Sequence, residues 1–257
     1  MRVLSLDQYR LILAEELKLR DGVLVQGLPG IGLVGKIAVD YIVSTLNLRK
    51  VAELIGPGII LPVGNVGVYV TNEGALQIPS YKFYLLNGGS RDILFVTSEA
   101  QPALWAQYEV AEKVLDFFVS IGGREVIGAC GTTAEESEHV GVYYAYASED
   151  CAKKLEALGA KRSTGGTITG ACGLLPALAA LRGLKAYVLM GSTQTPEPNF
   201  VAARELIRVL SKLLEFEVSL EDLEKTIEQI RRREEEMEKV LETARQKEGE
   251  SLPSWYV

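Results

Sequence analysis

A chain of 257 residues, 47% hydrophobic and 24% charged, can bury one sizeable core or two modest ones. Its net charge of −7 excludes a nucleic-acid or anionic-membrane surface as the main interaction, because phosphate binding needs a concentrated excess of Lys and Arg. Cys130, Cys151 and Cys172 are odd in number, contain no CxxC pair and have a single histidine, His139, for company, which predicts neither a disulfide framework nor a metal site.

In chain order, the first ten residues lack the basic start and apolar run of a signal peptide. The first two-thirds then alternates short β-branched runs with helical periods and glycine punctuation. That pattern predicts a three-layer α/β/α domain on a mixed sheet. Strands are expected over 23–26, 51–55, 67–71, 82–86, 91–97, 125–130 and 185–190, and helices over 32–46, 103–121, 148–158, 173–182 and 199–214. Asn87-Gly88-Gly89 reads as a hairpin turn, so part of the sheet is expected to be antiparallel. The most apolar stretch, 171–190, is broken by Arg182 and Lys185, and reads as buried helix then strand rather than a membrane span. No nucleic acid, membrane or cofactor is expected as a partner, and the setting is expected to be cytosolic.

Between the first strand and first helix lies Gly27-Leu28-Pro29-Gly30-Ile31-Gly32-Leu33-Val34-Gly35-Lys36. It satisfies the spacing of a dinucleotide fingerprint (Gly30, Gly32, Gly35) and most of a P-loop (Gly30, Gly35, Lys36). Each pattern fails at its next requirement. Ile37 stands where a P-loop needs a hydroxyl for magnesium, and Glu53 lies in the middle of strand 51–55 rather than at its end. The simpler role for these glycines is a tight strand-to-helix turn with close helix–sheet packing. Elsewhere, His139 sits among Glu135, Glu136 and Glu138 in what reads as a solvated acidic loop, and no GxSxG elbow exists. No catalytic residue is expected.

From Ser219 the composition shifts to a proline-free, charge-rich helical period in which Leu220, Leu223, Ile227, Ile230, Met237, Leu241 and Ala244 follow 3–4 spacing with Glu234 in the seam. A helix over roughly 28 residues reaches about 40 Å, longer than a compact core of this size needs. Ser219 reads as its N-cap and Gly249 as its stop. The predicted layout is a core over 1–215, a coiled-coil-like extension over 216–248 and a tail over 249–257. After Pro253 the sequence closes on Trp255-Tyr256-Val257, and aromatics at a frayed end need something to bind.

The segment Gly27 to Ile42 resembles the opening motif of the proteasome assembly chaperone 2 family and its archaeal homologues. The stretch from Gly166 through Gly170 and Gly173 to Leu175 is also similar, as is Pro196-Glu197-Pro198 leading to Ala202-Ala203. The resemblance covers about 1–215 and implies a nucleoside-phosphorylase-like fold without its chemistry. It assigns Gly27, Pro29, Gly30, Gly32, Gly35, Gly166, Gly170 and Gly173 a structural role. The ending Trp255-Tyr256-Val257 resembles the hydrophobic–tyrosine–any motif that docks between proteasome α-subunits. A homo-oligomer, tetramer or pentamer, presenting several tails to the 20S α-ring is thereby implied, with avidity from multivalency. The competing expectations are a nucleotide-dependent enzyme of ATP-grasp or phosphorylase type using Gly30 to Lys36, and an oligomeric scaffold.

Overall fold

The computed structural model describes residues 2–133, 141–147 and 152–250, and the chain divides after Val218 into two units. The first unit holds β1 (Arg2–Leu6), β2 (Tyr9–Leu13), β3 (Gly22–Gly27), α1 (Val34–Thr45), β4 (Arg49–Ile55), β5 (Tyr69–Val70), β6 (Leu76–Gln77), β7 (Tyr81–Asn87) and β8 (Asp92–Thr97). It continues through α2 (Gln107–Ser120), β9 (Gly123–Thr133), β10 (Val142–Tyr146), α3 (Ala152–Ala157), β11 (Lys161–Arg162), α4 (Ala171–Leu181), β12 (Lys185–Thr193) and α5 (Phe200–Leu214).

Ten strands form one mixed sheet in the order β1-β2-β4-β7-β8-β3-β9-β12-β10-β11. Its middle, β8-β3-β9-β12, is parallel, and both β3 and β8 are buried along their whole length. Continuous Val/Leu/Ile/Phe runs are what strands covered on both faces require. Leu24 and Val126 point into a core shared with Val110, Val114 and Phe118 of α2 and Leu175 and Ala179 of α4. Helices α1 and α5 pack on each other and on the central strands, completing the three layers. Helix α5 shows why such a layer forms: Asn199 caps it by accepting from Ala202 N at 2.8 Å, and Ala202, Ala203, Leu206, Ile207, Leu210 and Leu213 bury one stripe.

The antiparallel flank includes the predicted hairpin at 87–89, since β7 pairs with β8 from Lys82↔Thr97 to Asn87↔Asp92. Four features depart from the sequence reading. The N-terminal hairpin β1–β2 was not anticipated, and its two-residue turn uses Asp7 at φ 59° rather than a glycine. Strands β10 and β11 also extend the sheet unexpectedly. The strand expected over 67–71 does not join the main sheet; Tyr69–Val70 pairs only with Leu76–Gln77 in a separate two-stranded ribbon. Finally, Cys130 and Cys172 form a disulfide across 42 residues of sequence, with Cα atoms 6.4 Å apart, against the expectation of none. Folding lays the start of α4 over β9, and that proximity is invisible in cysteine spacing.

The second unit is α6 (Glu221–Glu250), studded with i,i+3 and i,i+4 ion pairs such as Lys225–Glu221 at 2.9 Å and Arg232–Glu228 at 3.0 Å. It runs through Gly249, where a stop was expected. Among the described residues no helix is long and apolar enough to cross a membrane. Cys151, the His139 loop and Trp255, Tyr256 and Val257 lie outside the described residues.

Candidate functional site

The chain leaves β3 at Gly27 and enters α1 at Val34 through a single 3-10 turn over Ile31–Leu33. Gly32 at φ 59° takes the left-handed region that favours glycine, and Leu33 follows at φ 48°, an uncommon conformation for a branched side chain. Gly35 brings α1 against β9 so closely that a Cβ there would strike the Ala129 carbonyl and approach Cys130 Cα at 3.0 Å. Gly27 is equally enclosed, its absent Cβ facing the Gly35 carbonyl and Val39. Gly30 differs: its φ of −172° is extended backbone and nothing lies within 4 Å of where a Cβ would sit. The close-packing role expected of the glycines therefore applies to Gly27 and Gly35 and not to Gly30.

Three stretches far apart in sequence converge on this turn. Gln101 donates to the Pro29 carbonyl at 2.6 Å and accepts from Ala171 N at 3.2 Å, tying the turn to the first residue of α4. Gln26, buried at the end of β3, donates to the Ala171 carbonyl at 2.8 Å. On the other side Gly32 N donates to the Pro196 carbonyl at 3.2 Å and Asn199 N to the Gly32 carbonyl at 2.8 Å. Thr193 Oγ1 accepts from Asn199 Nδ2 at 2.9 Å and completes the knot. Gln26, Gln101 and Asn199 were missed by sequence reasoning. A lone glutamine ending an apolar strand and an asparagine opening an amphipathic helix were the available signals.

Behind the Pro29–Ile31 corner opens a cleft of about 1350 Å³ at the carboxyl ends of β3, β9 and β12. Strand order reverses between β3 and β9, because β8 follows β3 on one side and β9 on the other, and ligand sites of open α/β sheets lie at such points. One wall is the glycine-rich loop that includes Gly166 and Gly170, and Gly173 opens onto it from α4. Gly170 sits at φ 79° and a Cβ on it would press Gln101 Oε1 at 3.2 Å. Gly166, at φ 90°, faces open space. The floor carries the Cys130–Cys172 disulfide beside Val188 and Met190. Among the described residues, all the side chains lining the cleft are uncharged.

Lys36 does not face that cleft. Its ammonium lies 2.8 Å from Asp40 and 3.1 Å from Glu99, and Glu99 also meets Lys82 at 3.5 Å. Thr97 Oγ1 donates to the other Asp40 oxygen at 2.8 Å. Burial by itself favours neutral Lys36, but its two carboxylate partners outweigh that and raise its pKa. For Glu99 burial pulls upward, and Lys36 and Lys82 together bring its carboxyl below the ordinary glutamate value. The lysine that would serve a P-loop is thus spent on an ion cluster with Asp40 and Glu99, and a polyphosphate in the cleft would meet no cationic side chain among the described lining residues.

The whole architecture has known counterparts. Pyrococcus furiosus PbaB, an archaeal proteasome activator, superposes with a TM-score of 0.78 at 26% identity over 93% of this chain and 100% of its own. Pyrococcus furiosus PbaA, an archaeal homologue of proteasome-assembly chaperone, gives 0.77 at 27% identity over 98% of this chain and 100% of its own. An uncharacterised protein of Methanocaldococcus jannaschii is 31% identical over 233 residues, 86% of this chain and 87% of the relative. The family profile that matches residues 24–238 contains the glycine turn, its glutamine and asparagine ties and the cleft wall alike, and by it the chain belongs to the PAC2 family.

Proposed function

We propose that this protein is a non-enzymatic proteasome assembly chaperone or activator that binds the 20S α-ring through Trp255, Tyr256 and Val257. The observation that carries this reading is the nearly end-to-end likeness to two archaeal proteins, one a proteasome activator and the other a homologue of proteasome-assembly chaperone. In this reading Val257 presents a terminal carboxylate to a pocket lysine, Tyr256 fixes register and Trp255 supplies apolar area. Helix α6 acts as the spacer that carries the tail. A cytosolic homo-oligomer, tetramer or pentamer, with its α6 helices associating as coiled coils, would multiply weak tail contacts into avidity.

The test is co-sedimentation with 20S particles, with gate-dependent peptide hydrolysis alongside. Loss of a buried aromatic anchor in Tyr256→Ala is expected to cost about 2 kcal/mol or more, roughly thirtyfold per site. Appending one residue after Val257 is expected to be as severe, because it displaces the carboxylate without altering a side chain. Equal binding by wild type and the extended chain would refute tail docking.

A second reading, a nucleotide- or nucleoside-using enzyme with a phosphorylase-like fold, draws on the cleft at the strand-order reversal. The engaged Lys36 and the uncharged lining among the described residues weigh against phosphate-bearing ligands. Thermal shifts with ATP, ADP and purine nucleosides separate the two readings, since a ligand at a hundredfold its Kd adds about 2.7 kcal/mol.

A further inference from the structure

The segment between β4 and β7 contains no Asp, Lys, Arg or His and a single Glu, Glu73, in the 25 residues from Gly56 to Ser80. Within it the β5–β6 ribbon has a clear alternation. Gly67, Tyr69, Thr71 and Gln77 are half-buried, whereas Val66, Val68, Val70, Leu76 and Ile78 are exposed. Pairing of Val70 with Leu76 and Tyr69 with Gln77 fixes the register, and the same register sets Val68 opposite Ile78. One face of the ribbon is therefore wholly aliphatic and turned outward. In a ribbon with one solvated face the apolar phase belongs inside, and a slip of one residue would put it there.

The inverted phase is held in place from below. A Cβ on Gly67 would meet Leu61 Cδ1 at 2.8 Å, so that position packs on the preceding loop of the same segment. The Tyr69 hydroxyl is buried without a hydrogen bond among the described residues, and its pKa is raised by burial and then by the nearby Glu99 charge. The ribbon is thus seated by its small and polar side, leaving the aliphatic side for something else. Val66 is 89% exposed and Leu76 74%.

We propose that this aliphatic face is a self-association surface of the protein, packing two-fold against the same face of a second copy, a contact that fits the tetramer and not the pentamer. Its five side chains offer on the order of 500 Å² of apolar surface, comparable to the largest patch of a typical monomer. Further apolar surface borders the same segment: Val63 is 77% exposed, and Leu104 and Trp105 stand at 90% and 70% across a groove from Leu61 and Pro62. Together these approach the roughly 800 Å² per partner of a specific interface. Charge selects the occupant. Each copy carries −7, so two copies repel unless they meet where there is almost no charge, and this segment is such a place. A two-fold contact of like faces needs only self-complementarity, which a wholly aliphatic face provides without any matching of charges.

The proposal rests on the self-association in the reading above and is independent of the tail. Light scattering on the full chain at about ten micromolar is expected to give an oligomer for wild type and for Leu181→Glu, a control at an apolar site 84% exposed on α4. The Val66→Glu/Val70→Glu variant is expected to self-associate at least a hundredfold more weakly, with unchanged circular dichroism. In a second arm, Val68→Cys in a Cys151→Ser background is expected to form covalent dimers with a short bis-maleimide, leaving the Cys130–Cys172 pair unreacted. A monomeric wild type would overturn both the self-association and this surface. An oligomeric wild type whose mass survives the double glutamate variant, with no maleimide dimer from Val68→Cys, would overturn the surface alone. So would a double variant that keeps its mass but loses co-sedimentation with the 20S particle, since the face would then belong to a different partner.

Discussion

Replacing Gly35 with alanine sets two effects of known size against each other. In the first turn of α1 the substitution gains at most about 1 kcal/mol of helix propensity. The new methyl, however, would land on the Ala129 carbonyl, with its carbon at 2.5 Å and Cys130 Cα at 3.0 Å. Both obstacles are backbone of β9, which is hydrogen-bonded to β3 on one side and β12 on the other, so neither can yield as a side chain would. Overpacking of this kind costs about 1–3 kcal/mol, and a rigid obstacle places it at the upper end. A net loss of about 2 kcal/mol follows, which is a fall of about 4–8 °C in Tm for a unit of this size. Gly30→Ala is the control, with open space and extended backbone, and should stay within about 0.5 kcal/mol of wild type. Urea titration followed by circular dichroism measures both. If Gly35→Ala unfolds at the wild-type midpoint, or the two variants are indistinguishable, the glycine is not there for packing.

Reducing the Cys130–Cys172 disulfide should lower stability by about 4 kcal/mol, the chain-entropy figure for a loop of this length, and a urea midpoint unmoved by a dithiol would contradict it. Gln101→Leu should cost about 1–3 kcal/mol by leaving the Pro29 carbonyl and Ala171 N without their bridge, with faster amide exchange at the start of α4 as the specific readout. The ion cluster should make stability pH-dependent on the acid side. Because the folded-state pKa of Glu99 is lowered, its contribution is present above the unfolded-state value and is lost as pH falls through the folded one. Glu99→Gln should therefore flatten the acid limb of a stability–pH profile, and an unchanged limb would show that the cluster is not its source.

The parallel centre of the sheet was legible because strands buried on both faces must be continuously apolar, as Val23 to Val25 and Ile93 to Val96 are. The hairpin at Asn87-Gly88-Gly89 was legible because its glycines advertise a turn. The N-terminal hairpin escaped because its turn is made by Asp7 in a left-handed conformation, which carries no sequence signal as strong as Asn-Gly. The ribbon at 69–77 was seen as a strand but misplaced, since local alternation says nothing about which sheet a strand joins. The glycine motif was found readily, yet its meaning depended on Gln26, Gln101 and Asn199, each single polar residues whose partners lie up to 145 residues away. The disulfide was missed for a related reason: two cysteines in a chain read as cytosolic give no cause to pair them.

The bond between Cys130 and Cys172 has a practical corollary for handling the protein. Between its ends lie β10, α3, β11 and the glycine-rich wall of the cleft. A single protease cut anywhere in that stretch leaves both pieces covalently joined, so the product runs as one band without reductant and as two with it. The same closure lets the chain be reopened there, with new termini placed inside the loop and the old ones fused or left free. Neither flank of the cut could diffuse away from the sheet.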